Sequence, residues 1–475
     1  MSSSGNSGAV YGGDEINAIV LDAGSYTTRI GYAGDDYPKV IVPSCYAKTA
    51  NNLKIFGHGM EYPRSNQEII PIMKESLIQD WDGAIEQYRH YFNELLKVDY
   101  QEQPILITEP VWTDKEYRQK LVETFYELFN FPALYLARTP TCVSFQQGRS
   151  SCLVVDIGHD SVSVTPVVDG ICLLRNSMKT HYSGQFLNDH IHNILKSKYP
   201  DVNMELKYRI KEKTPTVYPD AAKFTKREIP DKITTSFDDF QREKIYAEFK
   251  ELMLEVPEKK MNSSNAQNAE SIKEQYDDES EKRLFELPSG QSIEMGIDRF
   301  RLADTLFDPA SYPFEDESLN EKYPANNGEL DISSPYDDYR PLKRARKAGS
   351  SPSTPTPAPE NGTTTKTARG LSQLITHAIS SIDIDLRTSI AHNIIVTGGS
   401  SLIPRLTERL YNELLNSNPG LKIRLHALGN ANERPNQAWI GGSVLASLGT
   451  FHQMWVSKAE YEEAGVDRIL TQRFR

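Results

Sequence analysis

Apolar positions along the chain fall into two rhythms. Unbroken runs at 18–21 (AIVL), 105–107 (ILI), 152–155 (CLVV) and 394–396 (IIV) are short and read as buried strands. Between them, recurrences at helical spacing mark helices. Tyr117, Leu121, Phe125 and Leu128 follow a capping box made by Thr113 and Glu116. Leu371, Leu374, Ile375, Ala378 and Ile379 make a second helical face. Strand and helix alternate from Glu15 onward, the pattern of an α/β fold. At 285–309 a turn at Pro288, Ser289 and Gly290 predicts a hairpin leading into a helix.

Three stretches break these rhythms. Residues 1–13 are a Ser/Gly tail, expected to be disordered. Residues 201–285 are charged with few strand signals, and predict outer helices and loops with 257–281 mobile. Residues 310–370 are rich in Pro, Ser, Thr, Asp and Asn, with no hydrophobic period, and predict a disordered insertion inside a domain. Such an insertion is tolerated because loop-closure cost grows slowly with length.

Composition narrows the classes. The 475 residues allow roughly two to four domains and an ample core. A net charge of -12 argues against a surface built throughout for nucleic acid. The four cysteines, Cys45, Cys142, Cys152 and Cys172, have no metal-binding spacing and read as reduced thiols. The first residues lack the basic start and apolar block of a secretion signal, and no run approaches a membrane span. A soluble, intracellular protein is expected.

The chemistry lies in a repeat. The runs at 18–21 and 152–155 each end in Asp-x-Gly: Asp22-Ala23-Gly24 and Asp156-Ile157-Gly158. An acid at a strand end, followed by a turn with free N–H groups, suits a metal-bound phosphate. A third glycine turn, Gly398-Gly399-Ser400-Ser401, follows the run at 394–396. Two related halves closing on one nucleotide are the reading that follows.

Longer blocks carry a family resemblance. WIGGSVLASLGTFHQMWVSKAEYEEAGVDRI (439–469), GYAGDDYPKVIVPS (31–44), QDWDGAIEQYRHYFNELL (79–96), DIDLRTSIAHNIIVTGGSSLIP (383–404) and LPSGQSIEMGIDRFR (287–301) resemble actin and its relatives. The opening YGGDE (11–15), the loop DAGSYTTRIGYAG and the insertion before the last helices resemble the nuclear, fungal-type members, subunits of chromatin-remodelling and histone acetyltransferase complexes. The resemblance implies the two-lobed fold shared with sugar kinases and 70-kDa heat-shock ATPases, with MgATP in the cleft. It implies an outer lobe from 14–146 completed by 437–475. The inner lobe would be 147–309 and 371–436, interrupted by the insertion at 310–370.

The resemblance also implies site residues, and this chain departs at several. Asp22 and Asp156 would hold Mg²⁺ through water, and Gly24, Ser25 and neighbouring N–H groups would face the phosphates. Tyr26 stands where actin has glycine, and Arg29 where it has lysine. Beyond Asp156 and Gly158, His159 replaces an acid and Asp160 replaces a glycine beside the γ-phosphate. A carboxylate there is unfavourable unless it points away or meets the metal. Gly184, Gly398, Gly399, Ser400 and Ser401 complete the expected nucleotide site, with Ile403 and Pro435 near the base. Lys211 and Glu212 resemble the pair that touches base and ribose. The glutamine and histidine with which actin orients its water are matched by Thr139 and Ser163, both too short for that task. No catalytic residue is therefore assigned.

The expected function is a non-catalytic, ATP-binding subunit in the nucleus, serving chromatin organisation, transcription and DNA repair. Its expected partners are actin, a helical segment of a large remodeller or scaffold subunit, and histones or the nucleosome; no membrane contact and no homopolymer are expected. The stretch 44–64 is shortened and lacks an apolar tip for filament growth. The cluster Lys343, Arg344, Arg346 and Lys347 suits nuclear import. A slow actin-like ATPase, or a histone- or DNA-binding module with a vestigial nucleotide site, is the alternative.

Overall fold

The computed structural model describes residues 18–202, 204–262, 275–276, 278–330 and 368–474. Two six-stranded sheets organise the chain. In the first, Ile19–Ala23 runs antiparallel to Thr27–Tyr32 and parallel to Ile105–Glu109, which is parallel to Ala133–Arg138. Val40–Pro43 closes one edge and Val456–Ser457 the other. The C-terminal segment thus returns to the first sheet.

The second sheet repeats this plan. Cys152–Ile157 runs antiparallel to Val162–Val168 and parallel to Ile394–Thr397, which is parallel to Leu425–His426. The repeat extends to single positions: Asp22 pairs with Arg29, and Asp156 pairs with Ser163. The fold class read from the sequence is the one observed. Each sheet has its own apolar core, and a smaller cluster of Ala18, Val20, Leu106, Ala137, Cys142 and Trp439 lies at their junction.

At that junction Thr139–Gln146, the helix joining the two sheets, packs on Gln437–Ser447. A Cβ at Gly441 would sit 1.8 Å from the Cys142 carbonyl oxygen, so only glycine permits the approach. Trp439 is fully buried and its Nε1–H donates to the Val20 carbonyl at 3.0 Å. The link between lobes is therefore a packed crossing of two helices.

Several sequence expectations are corrected here. The helix Lys115–Glu123 is capped by Asp114, which accepts from Tyr117 N–H, and not by Thr113. Thr113 is drawn away by tertiary contacts: its hydroxyl bonds Glu109 and receives a bond from Arg138 at 2.5 Å. Leu128, expected on the buried face, is exposed.

The stretch 201–285 carries strands, Ile210–Thr214, Thr216–Val217 and Lys223–Lys226, before the long helix Thr235–Met253. The hairpin of Arg283–Glu286 and Gln291–Met295 forms as expected, with Gly290 N–H closing onto Leu287. Residues 310–330, expected to be disordered, fold against the second lobe. Phe314 is buried beside Phe186 and stacks on His190, and Tyr312 donates to Asp304 at 2.8 Å. A few aromatic anchors suffice to order a polar segment. The tail 1–13, most of 263–277 and the basic cluster at 343–347 lie outside the described residues. Among the described residues no helix is long and apolar enough to cross a membrane.

Candidate functional site

Both Asp-x-Gly turns open onto one cleft of about 690 Å³ between the sheets. The turns are built alike: Gly24 N–H donates to the Thr27 carbonyl at 3.1 Å, and Gly158 N–H to the Ser161 carbonyl at 3.0 Å. Added Cβ atoms would lie 3.2 Å and 3.1 Å from those same oxygens. Glycine keeps both turns tight.

Asp22 is held at both oxygens. Thr108 donates to Oδ1 at 2.5 Å and Arg29 Nη1 to Oδ2 at 3.2 Å. Burial and the neighbouring Asp22 carboxylate push the Asp156 carboxyl up to about 6, against the opposing pull of Arg29. Two carboxylates that repel each other across one cleft favour a cation between them. Ser25 Oγ accepts from Ser76 N–H at 2.7 Å, and Tyr26 meets His159 with ring centres 4.7 Å apart.

The third turn supports the second. Gly398 has φ +88°, and a Cβ there would sit 2.4 Å from both an Asp156 oxygen and the Ile157 carbonyl. Ser400 Oγ donates to the Gly158 carbonyl at 3.1 Å. Gly184 opens the helix Gly184–Lys198, and its N–H donates to that same carbonyl at 3.1 Å. A Cβ at Gly184 would meet Ser400 Oγ at 2.9 Å, so Gly184 serves close packing under the turn and does not line the cleft. Ser401 is buried and donates to the Gly398 carbonyl, so it too braces the turn from behind.

Asp160 resolves the difficulty its position raised. Its Oδ2 accepts from Glu75 N–H at 3.0 Å, so the carboxylate is engaged across the cleft. His159 is kept neutral by burial and the nearby Lys250, its imidazole driven down to about 4. Thr139 lines the cleft, but its hydroxyl donates to the Glu109 carbonyl at 3.1 Å. Ser163 is buried at the cleft floor.

Ile403 and Pro435 line the cleft as expected; Lys211 and Glu212 do not. They lie exposed on Ile210–Thr214, paired with Lys223–Lys226. The helix Thr235–Met253 supplies another Lys-Glu pair instead, with Glu243, Ala247, Lys250 and Glu251 facing the cleft. Lys250 Nζ donates to the Gly184 carbonyl at 3.1 Å, and burial draws its ammonium down to about 8. The signal was present: 243, 247, 250 and 251 share one helix face, opposite the buried Ile245 and Phe249. Trp112, Asn188 and Asn432 also line the cleft and were missed, as was Asn436, which lies behind the lining and accepts from Arg29 Nε at 2.5 Å.

One cleft shared by duplicated halves, each offering the same strand-end turn, defines a two-lobed α/β protein of the kind built around a nucleotide-sized cavity. The actin family pattern matches residues 13–475. The chain belongs to the actin family. It is 64% identical to Actin-related protein 4 of Debaryomyces hansenii over the full length of both chains. It is 59% identical to Actin-related protein 4 of Candida albicans, covering 98% of each chain. With Actin-related protein 4 of Saccharomyces cerevisiae the identity is 37% over 98% of this chain and 99% of the relative.

Proposed function

We propose that the cleft binds ATP with Mg²⁺ and that the protein is a non-catalytic, actin-related subunit of nuclear chromatin-remodelling and histone acetyltransferase complexes. The observation that carries the nucleotide half is the pair of equivalent turns at Gly24 and Gly158, set either side of one cavity with Asp22 and Asp156 beneath them. The chain's own residues fit that ligand. Asp22 and Asp156 would hold the metal through water, and a cation would offset the burial and the repulsion from Asp22 that raise Asp156. Ser25, Tyr26 and the turn N–H groups other than those of Gly24 and Gly158, which are bonded within their turns, would face the phosphates, with Glu243, Lys250, Glu251, Ile403 and Pro435 toward the nucleoside. Bound between the lobes, the nucleotide would supply a bridge that stabilises the folded state by mass action.

The positions that would orient an attacking water support slow or absent turnover. Thr139 commits its hydroxyl proton to a backbone carbonyl, and Ser163 is short and buried. A neutral His159 with a pKa near 4 is a weak general base. Positioning dominates phosphoryl transfer, so losing it should slow the reaction severely.

The nuclear role is supported by end-to-end similarity to proteins named Actin-related protein 4 and by the departures in the first loop. Actin and a helical segment of a large scaffold subunit are the proposed partners, with histones as a further contact, and the protein acts in a hetero-assembly rather than a filament. Affinity purification from nuclei with mass spectrometry tests this. Co-purified actin and a large remodeller or acetyltransferase subunit are expected; their absence would overturn it. Neutralising Lys343, Arg344, Arg346 and Lys347 tests the proposed import role, with reduced nuclear accumulation expected.

A further inference from the structure

The helix Gly184–Lys198 is in use on both sides of its first turns. On its outer side lies the segment 312–323, a polar stretch containing the short helix Glu317–Lys322. Aromatic rings seat it. Phe314 stacks on His190 with ring centres 4.0 Å apart, and Phe186 meets Tyr323 edge-on at 5.0 Å. The polar anchor is Asp189: Tyr323 OH donates to its Oδ2 at 2.7 Å, and Lys322 Nζ pairs with the same oxygen at 2.5 Å. On the other side of the helix, Asn188 lines the cleft.

Asp189 is joined to the cleft through one side chain. Gln185, a turn earlier, donates from Nε2 to Asp189 Oδ1 at 3.4 Å and to Glu243 Oε1 at 3.3 Å. Its backbone N–H donates to the His159 carbonyl at 2.7 Å, which fixes the residue against the second phosphate turn. Glu243 faces the cleft, and its other oxygen accepts from Asn188. Burial pushes the Glu243 carboxyl up, and the bonds from Gln185 and Asn188, with the charge of Lys250, oppose that push. Gln185, Asp189 and Tyr323 do not line the cavity themselves.

One carboxamide thus stands between two acids, and both of its bonds are longer than the usual value of about 2.9 Å. How it divides between them depends on what else Asp189 holds. With Tyr323 and Lys322 docked, the Asp189 charge is satisfied from outside and Gln185 is left to Glu243. With those donors gone, Gln185 is the one side-chain donor that remains to Asp189 among the described residues, and it is drawn away from the cleft.

We propose that Tyr323 and Lys322 are positioning residues for the nucleotide cleft, holding Glu243 ready for the nucleoside by way of Asp189 and Gln185, so that docking of 312–323 and binding of nucleotide strengthen each other. The inference rests on the nucleotide reading above. The relay runs inside the second lobe and needs no movement between lobes. Coupling is reciprocal, so the factor by which the docked segment tightens nucleotide is the factor by which nucleotide tightens docking.

The test is calorimetric titration of the full-length protein with MgATP. Removing both donors, with Tyr323→Phe and Lys322→Gln together, keeps the aromatic packing and is expected to weaken ATP binding about fivefold or more. Adding Asp189→Asn removes the charge that draws Gln185 and should restore affinity to within about twofold of the unaltered protein. Amide hydrogen exchange across 312–323 gives a second readout: saturating MgATP should slow it in the unaltered protein and not in Gln185→Met. Unchanged affinity in the double variant would overturn the proposal. So would a loss that Asp189→Asn fails to restore, because a segment that only props the fold is not repaired by a third change. Exchange that ignores MgATP in the unaltered protein, or slows equally in Gln185→Met, would overturn it as well. Failure of the unaltered protein to bind MgATP would instead overturn the nucleotide reading itself.

Discussion

Arg29 Nε donates to Asn436 Oδ1 at 2.5 Å, tying the first phosphate hairpin to the start of the helix Gln437–Ser447. The same guanidinium reaches Asp22 with Nη1 at 3.2 Å. One planar group thereby fixes the orientation of the acid and joins two segments remote in sequence. Lysine has a single nitrogen and cannot span both partners. Arg29→Lys should keep the charge beside Asp22 but lose the Asn436 bond, destabilising the protein by about 1.5–3 kcal/mol. Urea unfolding of the ligand-free protein measures this, and a wild-type midpoint would show that the bridge contributes nothing.

Asp156 should trade stability for ligand binding. Its carboxyl is raised from the ordinary 3.8 to about 6, first by burial and then by Asp22. A raised folded value means the folded state holds this proton more tightly than the unfolded state. The resulting stabilisation is complete below about pH 4 and disappears as pH rises through about 6. Above that, keeping Asp156 ionised costs the ligand-free protein on the order of 3 kcal/mol. Asp156→Asn should therefore raise the ligand-free melting temperature at pH 7.5 and abolish the further rise produced by MgATP. A lower ligand-free melting temperature in the variant would contradict this.

Glu109 behaves in the opposite sense. Burial alone would raise its carboxyl, but the guanidinium groups of Arg118 at 3.0 Å and Arg138 at 3.5 Å outweigh burial and hold it below its ordinary range. Its contribution is present above the ordinary carboxylate value and lost as pH falls through the lowered one. Glu109→Gln leaves two buried cations short of a counter-charge and should cost about 3–5 kcal/mol at neutral pH. The gap in unfolding free energy between variant and wild type should narrow on acidification. A gap independent of pH would show that the loss is one of packing.

The nucleoside end of the cleft gives a paired comparison. Lys250→Ala and Glu251→Ala should each weaken ATP binding about tenfold, whereas Lys211→Ala and Glu212→Ala should leave it unchanged. Calorimetric titration of the four variants decides it, and equal losses at 211 and 212 would contradict the placement in the cleft.

That comparison also shows where sequence reading stops. The Asp-x-Gly turns were legible because each couples a continuous apolar run to a residue whose backbone must turn tightly, and both properties are local. The Lys-Glu pair was passed over, since RIKEK and EFKEL offer the same two residues and choosing between them needed the helix period that sets the buried Ile245 and Phe249 opposite 243, 247, 250 and 251. The cap at Asp114 was missed for a similar reason. Thr113 is also a favoured cap residue in isolation, but Glu109, four residues back, and Arg138, at the end of the neighbouring strand, claim its hydroxyl. Segment 312–323 escaped because its order comes largely from Phe314 and Tyr323 docking on residues far away in sequence, with Tyr312 bonded to Asp304 nearer by.

The central claim is that this cleft holds ATP without consuming it, and a single-turnover experiment on purified protein tests it most directly. Protein loaded with radiolabelled MgATP is denatured at intervals and its nucleotide separated by chromatography. The account predicts about one nucleotide per chain, recovered as ATP long after polymerised actin would have converted its own to ADP. Hydrolysis at a rate matching or exceeding that of polymerised actin would contradict it.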